Sequence, residues 1–224
     1  MELAVISRSY ILPYRTGHRI AKRTVDLVIA LLALPVALPL IALCALAIHL
    51  DSPGPVFFIQ ERVGKGGRRF RMYKFRTMHH SLDTSDHEAY MRAFVNGETG
   101  KNGTCKATYK PFQNSQLTRV GCILRKTSLD ELPQIINVLK GEMSLVGPRP
   151  NVPWEVEEYH GWHKERLEVL PGISGLAQVR GRSGISFDSI VKYDIEYIEK
   201  QSLKLDLQIL WWTVLSVIDG HGAE

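Results

Sequence analysis

The sequence predicts an α+β fold that is mostly helical, carries a small β-hairpin and is attached to a membrane near its N-terminus. Three patterns support this prediction. An apolar run covers residues 27–50, two short segments at 56–59 and 70–76 flank a glycine-rich turn, and helical periodicity recurs after residue 128. A chain of 224 residues is long enough for one such domain with a membrane segment.

The apolar run is the strongest single pattern, because residues 27–50 contain no Asp, Glu, Lys or Arg. As a straight helix it would extend roughly 36 Å, which is enough to cross a hydrocarbon core of about 30 Å. Pro35 and Pro39 lie in its middle, and each removes a backbone donor, so a kink or break is expected there.

Basic residues flank this run on both sides, at 15–23 and 62–76. Because basic flanks favour the cytoplasmic side, a re-entrant helix-break-helix hairpin satisfies both of them, whereas one kinked spanning helix satisfies only one. We keep both alternatives and favour the hairpin. The predicted organisation is a basic N-terminal segment at 1–22, a membrane hairpin at 23–50 and a compact membrane-associated domain at 51–224.

Composition limits the class of protein. The hydrophobic content is 45%, which argues against a polytopic membrane protein, and the net charge of +5 favours anionic partners. The three cysteines are irregularly spaced, which argues against a disulfide framework or a zinc site. Helix-turn-helix patterns and aromatic stacking platforms are not found, so nucleic acid is not expected as a partner.

The domain itself begins with a predicted hairpin. Residues 70–76 alternate apolar and basic side chains, which puts Lys74 and Arg76 on one face of a strand. A polar stretch at 84–118 is predicted to be a variable insertion with a short helix at 86–95. Further helices are expected at 154–169, 186–200 and 205–218; the last is either an amphipathic interfacial helix or a core helix.

Two adjacent acids stand at the start of another predicted helix. Ser128 followed by Glu131 has the spacing of a capping box, apolar residues follow at helical intervals, and Gly141 ends the helix. Asp130 and Glu131 therefore fall in its first turn. Either they only complement the helix dipole, or they form a functional pair.

Two rigid glycine loops carry cationic or polar residues. Residues 147–150 form a Gly-Pro-Arg-Pro turn that presents Arg149, and the loop at 171–175 is followed by Gln178 and Arg182. Backbone N–H groups in such loops, together with arginine side chains, can bind phosphate.

These motifs resemble the bacterial sugar transferase family, the monotopic polyprenyl-phosphate phosphoglycosyl transferases of the small, catalytic-core type. The resemblance extends over residues 20–218. Its motifs are Ser-Pro-Gly-Pro-Val-Phe-Phe at 52–58, Tyr-Lys-Phe-Arg-Thr-Met at 73–78, Leu-Asp-Glu-Leu-Pro-Gln at 129–134, Gly-Pro-Arg-Pro at 147–150 and Pro-Gly-Ile-Ser-Gly at 171–175.

The resemblance implies a catalytic pair at Asp130 and Glu131, which would also hold Mg²⁺, and a re-entrant helix that breaks at Pro39. Leu38 stands where the family often has serine before this proline. It also implies an active site on the cytoplasmic face of the bacterial inner membrane. A homodimer is compatible with the resemblance.

The activity that the resemblance implies is transfer of a sugar 1-phosphate from a UDP-sugar donor to a polyprenyl phosphate acceptor in the membrane. The products would be UMP and a polyprenyl diphosphate sugar, formed through an aspartyl-phosphosugar intermediate, as the first membrane step of polysaccharide or glycoconjugate synthesis. Direct transfer without that intermediate, and a non-catalytic scaffold, are the alternatives. The candidate substrate-binding residues are Lys74, Arg76, Arg125, Arg149, Gln178, Arg182 and Asp194.

Overall fold

The computed structural model describes residues 16–79, 85–97, 116–181 and 185–218. This part of the chain is mostly helical with two small sheets, as the sequence predicts. The helices are α1 (Thr16–Asp51), α2 (Ser85–Val95), α3 (Arg119–Lys126), α4 (Ile135–Lys140), α5 (Pro153–Glu157), α6 (Leu176–Gly181), α7 (Phe187–Lys200) and α8 (Leu203–Ile218). The strands are β1 (Phe57–Val63), β2 (Arg69–Phe75), β3 (Ser144–Val146) and β4 (Gly172–Ser174), and short 3₁₀ helices cover Lys65–Gly67, Leu129–Gln134 and Gly161–Glu168.

The N-terminal helix α1 is continuous. Pro35 and Pro39 both lie inside it, so the predicted helix-break-helix is not seen as two separate helices. Within the described residues, α1 is the one helix long and apolar enough to cross a membrane. This finding supports membrane association.

One face of α1 packs against the domain along most of its length. Ala30 and Ala37 join the cluster around Met72 and Val138, and Cys44 and Ile48 join a second cluster around Phe75. The intervals between these four residues, seven or four positions, keep them on one side of a helix. Several large apolar residues between them, such as Leu32 and Val36, are exposed, so one face of α1 packs on the domain and the other face is apolar and exposed.

Polar contacts anchor the N-terminal end of α1. Lys22 donates to Asp206 of α8 over 2.8 Å, and Asp26 accepts from the Ser144 hydroxyl over 2.8 Å. Lys22 also lies 3.9 Å from Asp26, one helical turn along α1. Arg23 donates to the carbonyl oxygen of Val138, near the C-terminal end of α4.

The predicted β-hairpin is confirmed. β1 and β2 are antiparallel, with Phe57 opposite Phe75 and Val63 opposite Arg69. The other edge of β2 is closed by Asn137 of α4: its side-chain oxygen accepts from the Tyr73 N–H over 3.1 Å, and its side-chain nitrogen donates to the Arg71 carbonyl over 2.7 Å. Asn137 thus takes the place of a neighbouring strand and fixes α4 beside β2.

The two glycine loops pack against each other. β3 and β4 pair in parallel, Gly147 N–H donates to the Ser174 carbonyl over 2.9 Å, and Gly172 N–H donates to the Pro148 carbonyl over 2.9 Å. A Cβ on Gly172 would lie 2.1 Å from the backbone nitrogen of Gly147. These glycines therefore allow close backbone packing, and the expectation that both loops cradle phosphate is wrong for these N–H groups.

The polar stretch at 84–118 contributes to the core in its described part. The expected helix is present as α2, and its Met91, Phe94 and Val95 are buried in a cluster with residues of α5 and α7. The residues just before this stretch and at its end lie next to each other, because Thr118 N–H donates to the Thr77 carbonyl over 3.0 Å.

The remaining helix predictions have mixed outcomes. The helix at 186–200 is confirmed as α7, with Ser186 as its N-cap. The helix expected at 154–169 is instead two short helices, α5 and the 3₁₀ helix Gly161–Glu168, because the chain turns between them at Tyr159–His160. The helix expected at 205–218 is present as α8: Ile209 is fully buried, as in a core helix, whereas Trp211 is 61% exposed.

Candidate active site at the acidic 3₁₀ helix

The acidic pair lies on the 3₁₀ helix Leu129–Gln134, directly before α4. Ser128 precedes it with φ 56°, in the left-handed region, and makes no side-chain cap hydrogen bond. The predicted capping box is therefore wrong. The reason is local: Ser128 is the turn residue that follows α3, and the Glu131 carboxylate, which a capping box would direct back to Ser128, instead faces two cations.

Glu131 lies between Lys74 and Arg149. Its Oε1 atom is 2.8 Å from Lys74 Nζ and 2.9 Å from an Arg149 guanidinium nitrogen. Burial alone would oppose ionisation, but Arg149 and Lys74 outweigh it and hold the pKa of Glu131 well below its usual range. Glu131 is therefore ionised and positions both cations.

Asp130 has a different environment. Burial, and then the neighbouring Glu131, raise the pKa of Asp130, although Lys74, Arg149 and Arg125 act in the opposite direction. Its carboxylate makes no salt bridge within 4.0 Å to any residue that the structure describes. Two adjacent acids with pKa values shifted in opposite directions are a common feature of catalytic sites.

Lys74 is the cation most affected by its surroundings. Burial lowers its pKa to about 8, and the ion pair with Glu131 only partly offsets this effect. Its position follows from β2: Tyr73 is held by Asn137, and the next residue reaches over the edge of the strand to the acidic helix. Lys74 is therefore the cation in this site whose charge changes near neutral pH.

Arg125 reaches the site from α3. Its Nε donates to the Thr77 hydroxyl over 3.1 Å, and it lies close enough to Asp130 to affect its ionisation. The close approach depends on Gly121, because a Cβ there would lie 2.0 Å from the Thr77 carbonyl oxygen. Burial lowers the pKa of Arg125, which is still charged at neutral pH.

Arg76 bonds the turn that follows α1. Its guanidinium donates to the carbonyl oxygens of Pro53 and Ser52, over 2.9 and 2.7 Å, and to the Ser52 hydroxyl over 2.8 Å. These contacts hold the turn after α1. The described contacts of Arg76 are thus with this turn and not with the acidic pair.

Two other candidates, Gln178 and Asp194, make their described contacts away from the acidic pair. Gln178 donates to the Ile173 carbonyl over 3.1 Å, and Asp194 is buried in an ion pair with Arg166 over 2.6 Å. Burial raises the pKa of Asp194 to about 6 despite this arginine. Arg182 lies outside the described residues. The contacts of Gln178 and Asp194 are structural.

Arg166 is a residue of this region that the sequence did not reveal. It donates to Asn151 over 2.9 Å and to the Arg149 carbonyl over 3.1 Å, in addition to its pair with Asp194. It thereby fixes the turn from which Arg149 reaches Glu131. Arg166 is separated in sequence from all these partners and belongs to no motif of its own, so no local signal pointed to it.

Asp130 and Glu131 are the residues that could hold a divalent cation. Within the described ranges no cluster of three His, Cys, Asp or Glu side chains is present. One or two carboxylates, completed by phosphate oxygens of a substrate, are the usual ligands of Mg²⁺. The donors present therefore fit a cation that arrives with a phosphorylated substrate.

The fold and the site together define a class of protein: a small domain packed on an apolar helix, with an acidic pair among three cations. Comparison with known proteins gives the family. The family model for bacterial sugar transferases matches residues 17–220. The chain belongs to the bacterial sugar transferase family.

Three relatives illustrate the similarity. The galactosyl transferase CpsE of Streptococcus agalactiae is 40% identical over 212 residues, 94% of this chain and 45% of the relative. The exopolysaccharide production protein ExoY of Sinorhizobium fredii is 35% identical over 220 residues, 96% of this chain and 95% of the relative. The UDP-glucose:undecaprenyl-phosphate glucose-1-phosphate transferase of Caulobacter vibrioides is 41% identical over 217 residues, 93% of this chain and 74% of the relative. The chain thus spans less than half of CpsE but nearly all of ExoY.

Proposed function

We propose that this protein transfers a sugar 1-phosphate from a UDP-sugar to undecaprenyl phosphate, releasing UMP and leaving the sugar on a diphosphate-linked lipid. The observation that carries the proposal is the acidic pair, in which one Glu131 oxygen pairs with both Lys74 and Arg149 while Asp130 makes no such ion pair with any described residue. The names of the relatives supply the substrate classes, a UDP-sugar and undecaprenyl phosphate.

Asp130 is the proposed nucleophile. Its carboxylate attacks the β-phosphorus of the donor, the bond from that phosphorus to the bridging oxygen breaks, and UMP leaves. An oxygen of the acceptor phosphate then attacks the same phosphorus, and the Asp130 carboxylate leaves. Splitting the transfer lets a soluble donor and a lipid acceptor use one site in turn. The raised pKa of Asp130 supports this role, because a more basic carboxylate is a better nucleophile.

The cations reduce the repulsion between a carboxylate and a diphosphate. Glu131 holds Arg149 and Lys74 close to Asp130. Arg125, on α3, is the third cation whose charge favours the ionised form of Asp130. Mg²⁺, held by Asp130 and Glu131, would neutralise further negative charge on the phosphates. Fixed cations in a buried site need no rearrangement as charge develops.

We also propose that α1 is re-entrant and that the acidic pair lies at the cytoplasmic face of the inner membrane. The packing of α1 on the domain from Ala30 to Ile48 supports this proposal, because it holds that part of the helix against the protein. Pro35 and Pro39 are exposed on the opposite face. Hydrogen bonds missing on that face favour a bend that is convex toward lipid, so that both basic flanks return to one side.

The test is UMP release from a panel of UDP-sugars by detergent-solubilised protein with undecaprenyl phosphate and Mg²⁺. We expect release by the wild type and a loss of at least 10³-fold in Asp130→Asn, whose side chain cannot form the intermediate. Glu61→Gln is the matched control, because Glu61 is an exposed carboxylate paired with Arg69, and it should retain full activity.

A second readout separates the two enzymatic mechanisms. Without acceptor, the covalent route gives one equivalent of UMP and a phosphosugar adduct on the peptide that contains Asp130, detected by mass spectrometry. Direct transfer gives neither product until acceptor is added. Equal UMP release by the wild type and Asp130→Asn would contradict the assignment of the nucleophile. A wild type inactive with every donor would favour the scaffold alternative.

A further inference from the structure

Phe58 lies beside Lys74 on the hairpin. The antiparallel register pairs Phe58 with Lys74, and Phe57 and Ile59 with their neighbours Phe75 and Tyr73. Directly opposed residues share one face of a sheet, with Cβ atoms about 4.5–5.5 Å apart. Because Lys74 Nζ contacts Glu131 over 2.8 Å, Phe58 lies on the face from which the hairpin reaches the acidic pair.

The beginning of β1 is unusually exposed for an apolar strand. Phe57, Phe58 and Ile59 are 40%, 48% and 51% exposed, although alternation normally buries one face of such a strand. Phe57 at least stacks on Phe75, with ring centroids 5.5 Å apart. Among the residues that the structure describes, Phe58 has no stacking partner and belongs to no core cluster. Exposed apolar groups next to a polar site often mark a binding surface.

This surface continues from the membrane helix. α1 ends at Asp51, its Leu50 is 76% exposed, and β1 starts at Phe57 after a short turn. Arg76 fixes that turn through Ser52, so the exposed strand is held next to the end of α1. An apolar path thus leads from the proposed membrane surface along β1 to Lys74.

We propose that Phe58 binds the first isoprene units of the acceptor, while Lys74 and Arg149 hold its phosphate. This inference rests on the proposed function and names one contact within it. Of the two proposed substrates, the acceptor alone has a hydrocarbon chain that begins at a phosphate, and it must pass from lipid to the cations. A surface that is apolar at Phe58 and cationic at Lys74 matches that order of groups.

The experiment compares two single variants of the whole chain, Phe58→Ala and Ile59→Ala, with the wild type. Ile59 is the matched control because it is adjacent, apolar and equally exposed, but points to the other face of β1. We expect the KM for undecaprenyl phosphate to rise roughly tenfold in Phe58→Ala, in line with the loss of one large apolar contact. Its KM for the UDP-sugar, and its adduct formation without acceptor, should stay within about twofold of the wild type, and Phe58→Leu should be intermediate.

Each other outcome overturns the inference and identifies another role. Equal effects in Phe58→Ala and Ile59→Ala would show general contact with the bilayer. A higher KM for the UDP-sugar would show stacking on the nucleobase. An unchanged KM for the acceptor in an active, folded Phe58→Ala would refute acceptor binding while leaving the proposed function intact. If the wild type itself forms no adduct and releases no UMP, the proposed function fails first, and this inference fails with it.

Discussion

Replacing Asn137 tests how the acidic pair is held. Asn137 is fully buried, and its side chain serves the Tyr73 N–H, the Arg71 carbonyl and Glu142. Asn137→Ala leaves two backbone groups of β2 without partners, each costing about 1–3 kcal/mol, so we expect a loss of about 2–6 kcal/mol. At about 2–4 °C per kcal/mol for a domain of this size, the Tm should fall by roughly 4–24 °C.

The assay is thermal unfolding in detergent at one fixed scan rate, followed by UMP release at a temperature where the variant is still folded. Asn96→Ala is the control, because Asn96 is exposed and its side chain bonds only Glu158 among the described residues. The Tm of this variant should change by less than about 2 °C. Asn137→Asp keeps the acceptor for Tyr73 but loses both donors, and should be destabilised as well. A Tm for Asn137→Ala within about 2 °C of the wild type would refute the strand-substitute role.

Two further predictions concern charge and orientation. Lys74 has a pKa of about 8, so activity should fall as the pH rises through that value. Lys74→Arg keeps its charge, and the alkaline limb of its pH–activity profile should move above about pH 9.5. If that limb does not move, deprotonation of Lys74 is not its cause. In a cysteine-free background, Arg19→Cys and Arg69→Cys, at exposed positions on either side of the apolar run 27–50, should react with an impermeant maleimide from the same side of the membrane. Labelling from opposite sides would establish a spanning helix.

The elements predicted well from sequence are those with a local signal. Alternation marked the hairpin, and Ser186 with the periodicity behind it marked α7. The prediction of one helix at 154–169 was wrong, because one polar stretch of sequence forms two short helices with a turn between them. The capping box failed because the spacing of Ser128 and Glu131 says nothing about the cations that attract the glutamate.

The roles of the arginines show where sequence reasoning stops. Arg76, Arg125 and Arg149 all stand in motifs and were equal candidates for phosphate binding. In the structure Arg76 binds the carbonyls after α1, Arg125 bonds Thr77 beside Asp130, and Arg149 bonds Glu131. What separates them is which buried carbonyl or carboxylate lies within reach, and this depends on contacts between residues distant in sequence. Asn137 did carry a signal, as a polar residue between the apolar Ile136 and Val138 of α4.

The contacts of α1 explain why its anchoring matters for the proposed chemistry. Near its start, Arg23 holds the Val138 carbonyl of the helix that follows the acidic pair; beyond its end, Arg76 holds Ser52 from the strand that carries Lys74. The membrane helix is thus tied at both ends to the two elements that build the site. Since the acceptor phosphate lies at a fixed depth in the bilayer, a rigid connection of this kind holds the carboxylates at one depth as well. A flexible linker would instead spread the carboxylates over many depths, and the orientation needed for in-line attack would be lost.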